Sequence, residues 1–338
     1  MSKYSRTVHR GCLLVAAFVA GLIAQCACAS RSGLPASLTD DEFRSLTAEL
    51  SEPAGEFKAS DNLVSNELHL AEVVRLLGRR GGAYIGVGPE QNFSYIAEVR
   101  PAMAFVVDVR QENRDLHLLY KALFELSTDR ADFVGRLFSR PRPQTAGAAA
   151  TVEELFAALE QASSDATLYD RTQSQVHQHL QEHHGFALSV EELRSIDQAL
   201  AAFREDGPGI RYGRTRPGGD EPSYRVLMTR EDIMGHTGSY LSSEERFAFV
   251  KALHTRNLVV PVVGNFGGTH TLRRISEYVR QHNETVTAFY GSNVQVYLSN
   301  QQTSTFCETL AGLPHTSDSW FIGSKGMQRF PAKLKNCP

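Results

Sequence analysis

The sequence predicts an α/β protein built on a mostly parallel sheet, and three observations lead to that class. Short apolar runs rich in β-branched residues, among them Ala83–Val87, Ala104–Val107 and Leu258–Val263, have the length of buried strands. Segments with helical periodicity separate them, and strand alternating with helix on this spacing gives parallel pairing. The first run leads into the turn Gly86-Val87-Gly88-Pro89-Glu90-Gln91-Asn92-Phe93, and Asp108 closes the second run 22 positions after Gly86. An acid about 20 residues beyond a glycine turn is the offset at which ribose hydroxyls are met in a Rossmann-like βαβ unit.

The turn departs from a dinucleotide fingerprint in two ways. Gln91 stands at the third glycine position, so the close helix–strand packing that G-x-G-x-x-G allows is not reproduced. Glu90 brings a carboxylate to the mouth of the following helix, where it would repel a pyrophosphate. NAD is therefore disfavoured, whereas S-adenosylmethionine, which has no phosphate and carries a positive sulfonium, meets no such conflict. The cofactor-binding candidates are Gly86, Gly88, Glu90, Gln91, Asn92, Asp108 and Arg110. The plainer reading of the same residues is a tight strand-to-helix turn that needs glycine for positive φ, with an aspartate at a strand end.

The 338 residues, 42% hydrophobic and 22% charged, suffice for one large core or two modest ones and have the composition of an ordinary globule. Lys3, Arg6 and Arg10 form a positive n-region, Cys12–Ala24 an apolar h-region, and Ala27-Cys28-Ala29 a small-residue cleavage site before Ser30. Export is expected, to the periplasm or the exterior, with residues 1–29 a signal peptide. The h-region falls short of the roughly 20 apolar residues of a membrane span, although an uncleaved anchor over Cys12–Ala29, or a lipid on Cys26, is the alternative. Three fewer positive charges take the formal net charge from −3 to −6, and a mildly acidic body has no overall attraction for nucleic acid. Only Cys307 and Cys337 then stand outside the leader. One disulfide between them suits an exported protein and closes a loop of about 30 residues, on the order of 3 kcal/mol in the chain-entropy account; the alternative is two unpaired thiols.

The elements follow in order. Residues 30–58 form a peripheral segment in which Thr39-Asp40-Asp41-Glu42 is a capping box and Pro53 stops the helix. Ser60–Glu67 is a dense polar run, able to cap the next helix or to reach a ligand beside Gly86. In the helix Leu68–Arg79 the apolar stripe is Leu68, Val73, Leu76 and Leu77, and Gly81-Gly82 ends it. Helical character returns over Ser94–Arg100 and over Asn113–Ser139. His117, Lys121 and Glu125 lie at i, i+4, i+8 and form a polar row, either a solvated face or a row turned to a cleft where His117 transfers protons. Arg130, Arg136, Arg140 and Arg142 form a basic cluster, on the surface or around an anion.

Residues 145–222 read as a helical insertion able to cover the cleft, with helices over Val152–Ala162, Tyr169–Gly185 and Ser189–Phe203. His179 and His183 share a helical face and have Zn²⁺ spacing, but no H-E-x-x-H pattern or cysteine accompanies them, so no metal is expected. The strand pattern resumes at Tyr224–Thr229, Leu258–Gly264 and Thr285–Tyr290, with helices at Glu245–Arg256 and Thr271–His282 and an edge strand at Trp320–Ile322. Ligands of parallel sheets sit beyond the carboxyl ends of the strands. That rule brings Gly86–Asn92, Asp108–Asn113, Thr229–Asp232 and Asn265–Gly268 to one rim. Asn66, Tyr120, Lys121 and Asn265 are the substrate-binding candidates.

Five stretches carry a family resemblance: Ser60–Glu67, Gly86–Phe93, Leu118–Leu126, Leu137–Pro143 and Val260–Phe266. On them the chain resembles an uncharacterised bacterial family whose members have a methyltransferase-like Rossmann core, over most of residues 57–330. The resemblance implies a fold over residues 59–338 and a cleft, and brings no substrate with it. The acid usual two residues before the first glycine of methyltransferases is Tyr84 here. The expected function is S-adenosylmethionine-dependent methyl transfer to a small or peptide-borne acceptor. Because S-adenosylmethionine is made in the cytosol, a catalytically silent exported module binding a metabolite or a protein is the alternative.

Overall fold

A computed structural model describes residues 33–57, 62–143, 147, 149–214 and 220–330. All belong to the compact unit that begins at Arg31; residues 1–29, where a leader is expected, and Ser60, Asp61 and Cys337 lie outside the described residues. A six-stranded sheet is built from β1 (Ala83–Val87), β2 (Met103–Asp108), β3 (Val259–Val263), β4 (Val286–Ser292), β5 (Trp320–Gly323) and β6 (Gly326–Arg329) in the order β3-β2-β1-β4-β5-β6. The pairs from β3 through β5 are parallel, and β6 returns antiparallel to β5. The strands β2 and β3 are buried at every position, which is why they read as unbroken apolar runs rather than alternating ones.

Twelve α-helices accompany the sheet among the described residues: α1 (Asp40–Leu50), α2 (Leu70–Leu77), α3 (Gln91–Val99), α4 (Gln111–Leu126), α5 (Arg130–Leu137), α6 (Val152–Gln161), α7 (Ala166–Gln178), α8 (Val190–Asp206), α9 (Tyr224–Thr229), α10 (Glu244–Thr255), α11 (Thr271–Gln281) and α12 (Asn300–Gly312). None is long and apolar enough to cross a membrane. Capping explains several starts. Thr39 accepts the Glu42 N–H at 3.2 Å while Glu42 accepts the Thr39 N–H at 2.8 Å, and Thr151, Ser189 and Ser299 repeat the device at α6, α8 and α12.

Four expectations need correction. Tyr224–Thr229 is the helix α9, opened by a Ser223 cap on Val226 N–H, and not a strand; six residues are too few for periodicity to separate the two. Thr229–Asp232 therefore does not stand at a strand exit. The run Trp320–Ile322 is not at the sheet edge, since β6 covers it. Leu76 is half exposed, the buried stripe of α2 being Leu70, Val73, Val74 and Leu77.

The row His117, Lys121 and Glu125 is buried rather than solvated. Neither a solvated face nor a cleft-facing row results, because α4 is covered on both sides: it packs on β2 and β3 and carries α5, α7, α8 and α10 on its outer face. The arginine cluster is divided among separate partners, with Arg130 buried against Glu244, Arg136 on Asp132, and Arg142 on Asp129. Helices α6 to α8 fall in the stretch 145–222 where helices are expected, and they cover α4 and α5 more than the rim of the sheet.

Candidate functional site

A cavity of about 420 Å³ opens beyond the carboxyl ends of the parallel strands, within the usual range for a small-molecule site. Its position is where the strand order reverses, between β1 and β4, and there a parallel sheet leaves room because the two following helices diverge. The β1 exit contributes Gly88 and Pro89, the β2 exit Asp108 and Arg110, the β3 exit Asn265 and Phe266, and the β4 exit Tyr290 and Ser292. Parallel pairing with Val87 opposite Val107 brings the glycine turn and the aspartate to the same level. Asn62, Asn66 and Glu67 form one side. An aromatic lip closes another: Phe57 meets Tyr297 edge-on with centroids 5.0 Å apart, and Tyr212 of the insertion joins them.

The two glycines of the turn have different causes. Gly88 has φ +76° and open space where a Cβ would stand, so it serves the backbone conformation and leaves the cavity wall bare. Gly86 lies in an ordinary extended conformation. A Cβ there would come within 1.9 Å of Asn92 Oδ1 and 2.6 Å of the Tyr84 hydroxyl. Asn92 occupies that space because its amide nitrogen donates to the carbonyls of Val87, Gly88 and Pro89 at 3.0, 3.1 and 2.7 Å, while its oxygen accepts from Tyr84 at 2.9 Å. His117 supports the same turn from behind, its Nε2 being 2.9 Å from the Gly88 carbonyl. A donor is needed there, so Nε2 carries the proton, and burial lowers the ring's pKa to about 4.

Glu90 and Gln91 also face inward. Both Glu90 carboxylate oxygens accept the Ser65 N–H, at 3.2 and 3.1 Å. Burial without a cationic partner pushes the Glu90 pKa up to about 8, which favours the neutral form near pH 7 and weakens the repulsion of pyrophosphate argued from its charge. Gln91 bridges the Tyr95 hydroxyl at 2.7 Å, the Glu67 carboxylate at 3.5 Å and the Ser65 hydroxyl. The polar segment 62–67 is thereby fastened to the start of α3. Asn66 and Glu67 do not cap α2, whose N-cap is His69.

Of the sequence candidates, the structure brings Gly88, Asp108, Arg110, Asn66 and Asn265 together on the wall. Gly86, Glu90, Gln91 and Asn92 stand behind it. Tyr120 and Lys121 are elsewhere: Tyr120 is buried among Phe93, Phe133 and Phe203, and Lys121 is buried against Glu125, Asn257 and the His254 carbonyl. The reason is position along α4: both share the face of His117, which touches the Gly88 turn, but lie about one turn farther from the strand exits, inside the packed layer outside the sheet. Gly267 and Gly268 permit close approach of Gln302 and of the Asn265 backbone, rather than of a ligand.

Asp108 and Arg110 form a buried pair. The arginine Nε and Nη2 donate to the two carboxylate oxygens at 3.0 and 2.9 Å, and the Arg110 backbone N–H adds a third bond at 3.0 Å. Three of roughly four lone-pair positions are taken, which leaves room for one ligand hydroxyl. Arg110 also lies 5.7 Å from the Phe57 ring. Around it the wall carries Glu56, Glu67, Asp108 and Glu221, an excess of acid that favours a cationic or hydroxyl-rich ligand. Burial raises the Glu67 pKa, against the hydrogen bonds that Ser292 and Tyr290 supply. Asn62 Oδ1 is buried in the wall and has no partner among the described residues.

Sequence reasoning missed the aromatic lip and the β4 exit. Tyr290-Gly291-Ser292-Asn293, a strand running into small polar residues at the predicted rim, was the available signal for the latter. Phe57 and Tyr297 lie in segments without periodicity and gave none. Cys307 is buried on α12. No characterised protein sequence matches the chain. A family defined as a domain of unknown function, DUF7790, matches it over residues 62–195 and 214–335, and the chain belongs to that family.

Proposed function

We propose that the crevice binds an adenosyl cofactor, S-adenosylmethionine, and that the protein transfers its methyl group to a small or peptide-borne acceptor. The observation that carries this reading is the meeting of an open, positive-φ glycine at the β1 exit with a carboxylate at the β2 exit, at the point where the strand order reverses. The sheet order matches a Rossmann-type arrangement, and the antiparallel β6 is compatible with a methyltransferase-like variant of it. The donor set fits the cofactor. Asp108 retains capacity for one ribose hydroxyl, Asn62 Oδ1 is an orphaned acceptor for an amino group, and the acidic wall suits a sulfonium and an ammonium. The cofactor supplies an electrophilic methyl; the chain supplies orientation and exclusion of water.

A second reading is a silent binding module. It is favoured by the burial, out of reach of the cavity, of His117, expected to move protons, and of Lys121, expected to bind substrate. Calorimetry and thermal shift with S-adenosylmethionine and S-adenosylhomocysteine separate the readings. Methyl transfer requires millimolar or tighter binding of both, with a raised midpoint, and weaker binding by Asp108→Asn. A midpoint raised only by another metabolite supports the module. We further propose export through the leader and pairing of Cys307 with Cys337; N-terminal sequencing of the mature protein and its mass before and after reduction test these.

A further inference from the structure

A second cluster lies at the far end of α4, roughly 20 Å along the helix from the crevice. It consists of His179, His183 and His184, which each offer one ring nitrogen within 4.8 Å of the others, together with Glu125. His179 Nε2 and His184 Nε2 each stand 2.6 Å from the same oxygen, Glu125 Oε2. The other nitrogen of His184, Nδ1, stands 2.6 Å from Asp40 Oδ1. We propose that His179, His183, His184 and Glu125 form a binding site for a divalent transition metal such as Zn²⁺, with Asp40 as the carboxylate that orients His184.

Three features support the site. The first is proton accounting: both nitrogens of His184 point at carboxylates, and a neutral imidazole has one N–H to give. With Nδ1–H donated to Asp40, Nε2 is a lone pair aimed at a carboxylate oxygen, a contact that a metal ion between them satisfies. Ion entry displaces the proton held between His179 Nε2 and Oε2, and it leaves to solvent. The second is the pattern of a ligating histidine whose other nitrogen donates to a carboxylate, the usual outer arrangement of such sites.

The third is backbone. The segment His179–His183 is a π-helical turn in which His184 N–H donates to the His179 carbonyl at 3.0 Å, and such turns concentrate at functional sites. The widened turn brings i, i+4 and i+5 to one side. Regular helical spacing relates only the first two, which is why His184 does not join His179 and His183 in the sequence pattern.

Ligand atoms about 2.0–2.2 Å from the ion lie roughly 3.3 Å apart in a tetrahedron, so the rings need to rotate by about an ångström. Lys121 Nζ, 2.6 Å from the other Glu125 oxygen, opposes the ion electrostatically. It is held there by the His254 carbonyl at 2.9 Å and orients the carboxylate with Oε2 toward the rings. Four protein ligands leave no open position, so the metal would be structural, fastening α1, α4 and the π turn together.

The test uses the full chain, stripped with a chelator and titrated with ZnSO₄ and CoCl₂. The expected result is one Zn²⁺ per chain with a raised thermal midpoint, and an intense visible Co²⁺ spectrum of tetrahedral type. Asp40→Asn should weaken Zn²⁺ by about 10–100-fold, His184→Gln by more, and His177→Gln, whose ring pairs with Asp197, not at all. Absence of stoichiometric uptake by the folded wild type overturns the site. So does unchanged affinity in His179→Gln; if His184→Gln does not fold, an octahedral Co²⁺ spectrum of the wild type is equally decisive against it.

Discussion

The turn Gly86–Phe93 has a front and a back, and they are built on opposite principles. Gly88 and Pro89 face a cavity lined with aromatic rings and carboxylates, while Gly86, Glu90, Gln91 and Asn92 face a sealed layer in which nearly every polar atom has a protein partner. A residue that looks like a ligand contact by its place in a motif can therefore be the scaffold that shapes the contact. Asn92 and His117 hold the carbonyls of the turn from behind. Asn62 on the opposite wall retains an unmatched acceptor in front.

The largest effect that would sharpen this contrast is at Glu90. Its folded pKa of about 8 exceeds the ordinary 4.5, so above pH 4.5 the native state binds the extra proton and stability falls as pH rises, the loss being complete above pH 8. His117, lowered to about 4 by burial, acts in the opposite sense below pH 6.5 and is spent above it. Unfolding free energy measured from pH 6.5 to 9 should thus decline in the wild type by about 2 kcal/mol, the upper part of a larger loss that begins at pH 4.5, and stay level in Glu90→Gln. Equal slopes would show that Glu90 is not sealed.

Next comes the pair of glycines. Gly86→Ala should destabilise by about 3 kcal/mol, since the added methyl displaces the Asn92 amide from three carbonyls. Gly88→Ala should lose about 1 kcal/mol, from positive φ alone. Denaturant midpoints that rank the two the other way would break the division between back and front.

Two smaller effects distinguish wall from core. Asn62→Leu should leave stability unchanged or raised, because it removes an orphaned acceptor, and weaken an adenosyl ligand by about 10-fold, or 1.4 kcal/mol. Tyr120→Phe should shift stability by less than about 1 kcal/mol, its hydroxyl having no partner among the described residues, and leave ligand affinity untouched. A change in ligand affinity on losing the Tyr120 hydroxyl would return that residue to the site.

How much was legible in the sequence follows from the range of each interaction. The strands β1 to β4 announced themselves because burial on both faces demands unbroken apolar runs, and the parallel rule then located the rim from Gly88, Asp108 and Asn265 without coordinates. What could not be read was the destination of polar residues whose partners are distant in sequence. Glu90 meets Ser65 across 25 positions, Lys121 meets Asn257 across 136, and Glu125 meets His184 across 59. Spacing within one element gives a helical face, not what covers it, so the row from His117 to Glu125 reads as solvated or cleft-facing, whereas α8 and α10 bury it. Short elements fail for another reason: Tyr224–Thr229 has the composition of a strand and becomes a helix through its Ser223 cap and its neighbours.

The central claim is that an adenosyl ligand enters in front of the glycine turn. Hydrogen exchange of the full chain with and without saturating S-adenosylhomocysteine tests it most directly. Added protection confined to the loops following Val87, Asp108 and Tyr290, with the amides of α3 and α4 unchanged, is the predicted result. Protection elsewhere, or none at a concentration that raises the thermal midpoint, would contradict it.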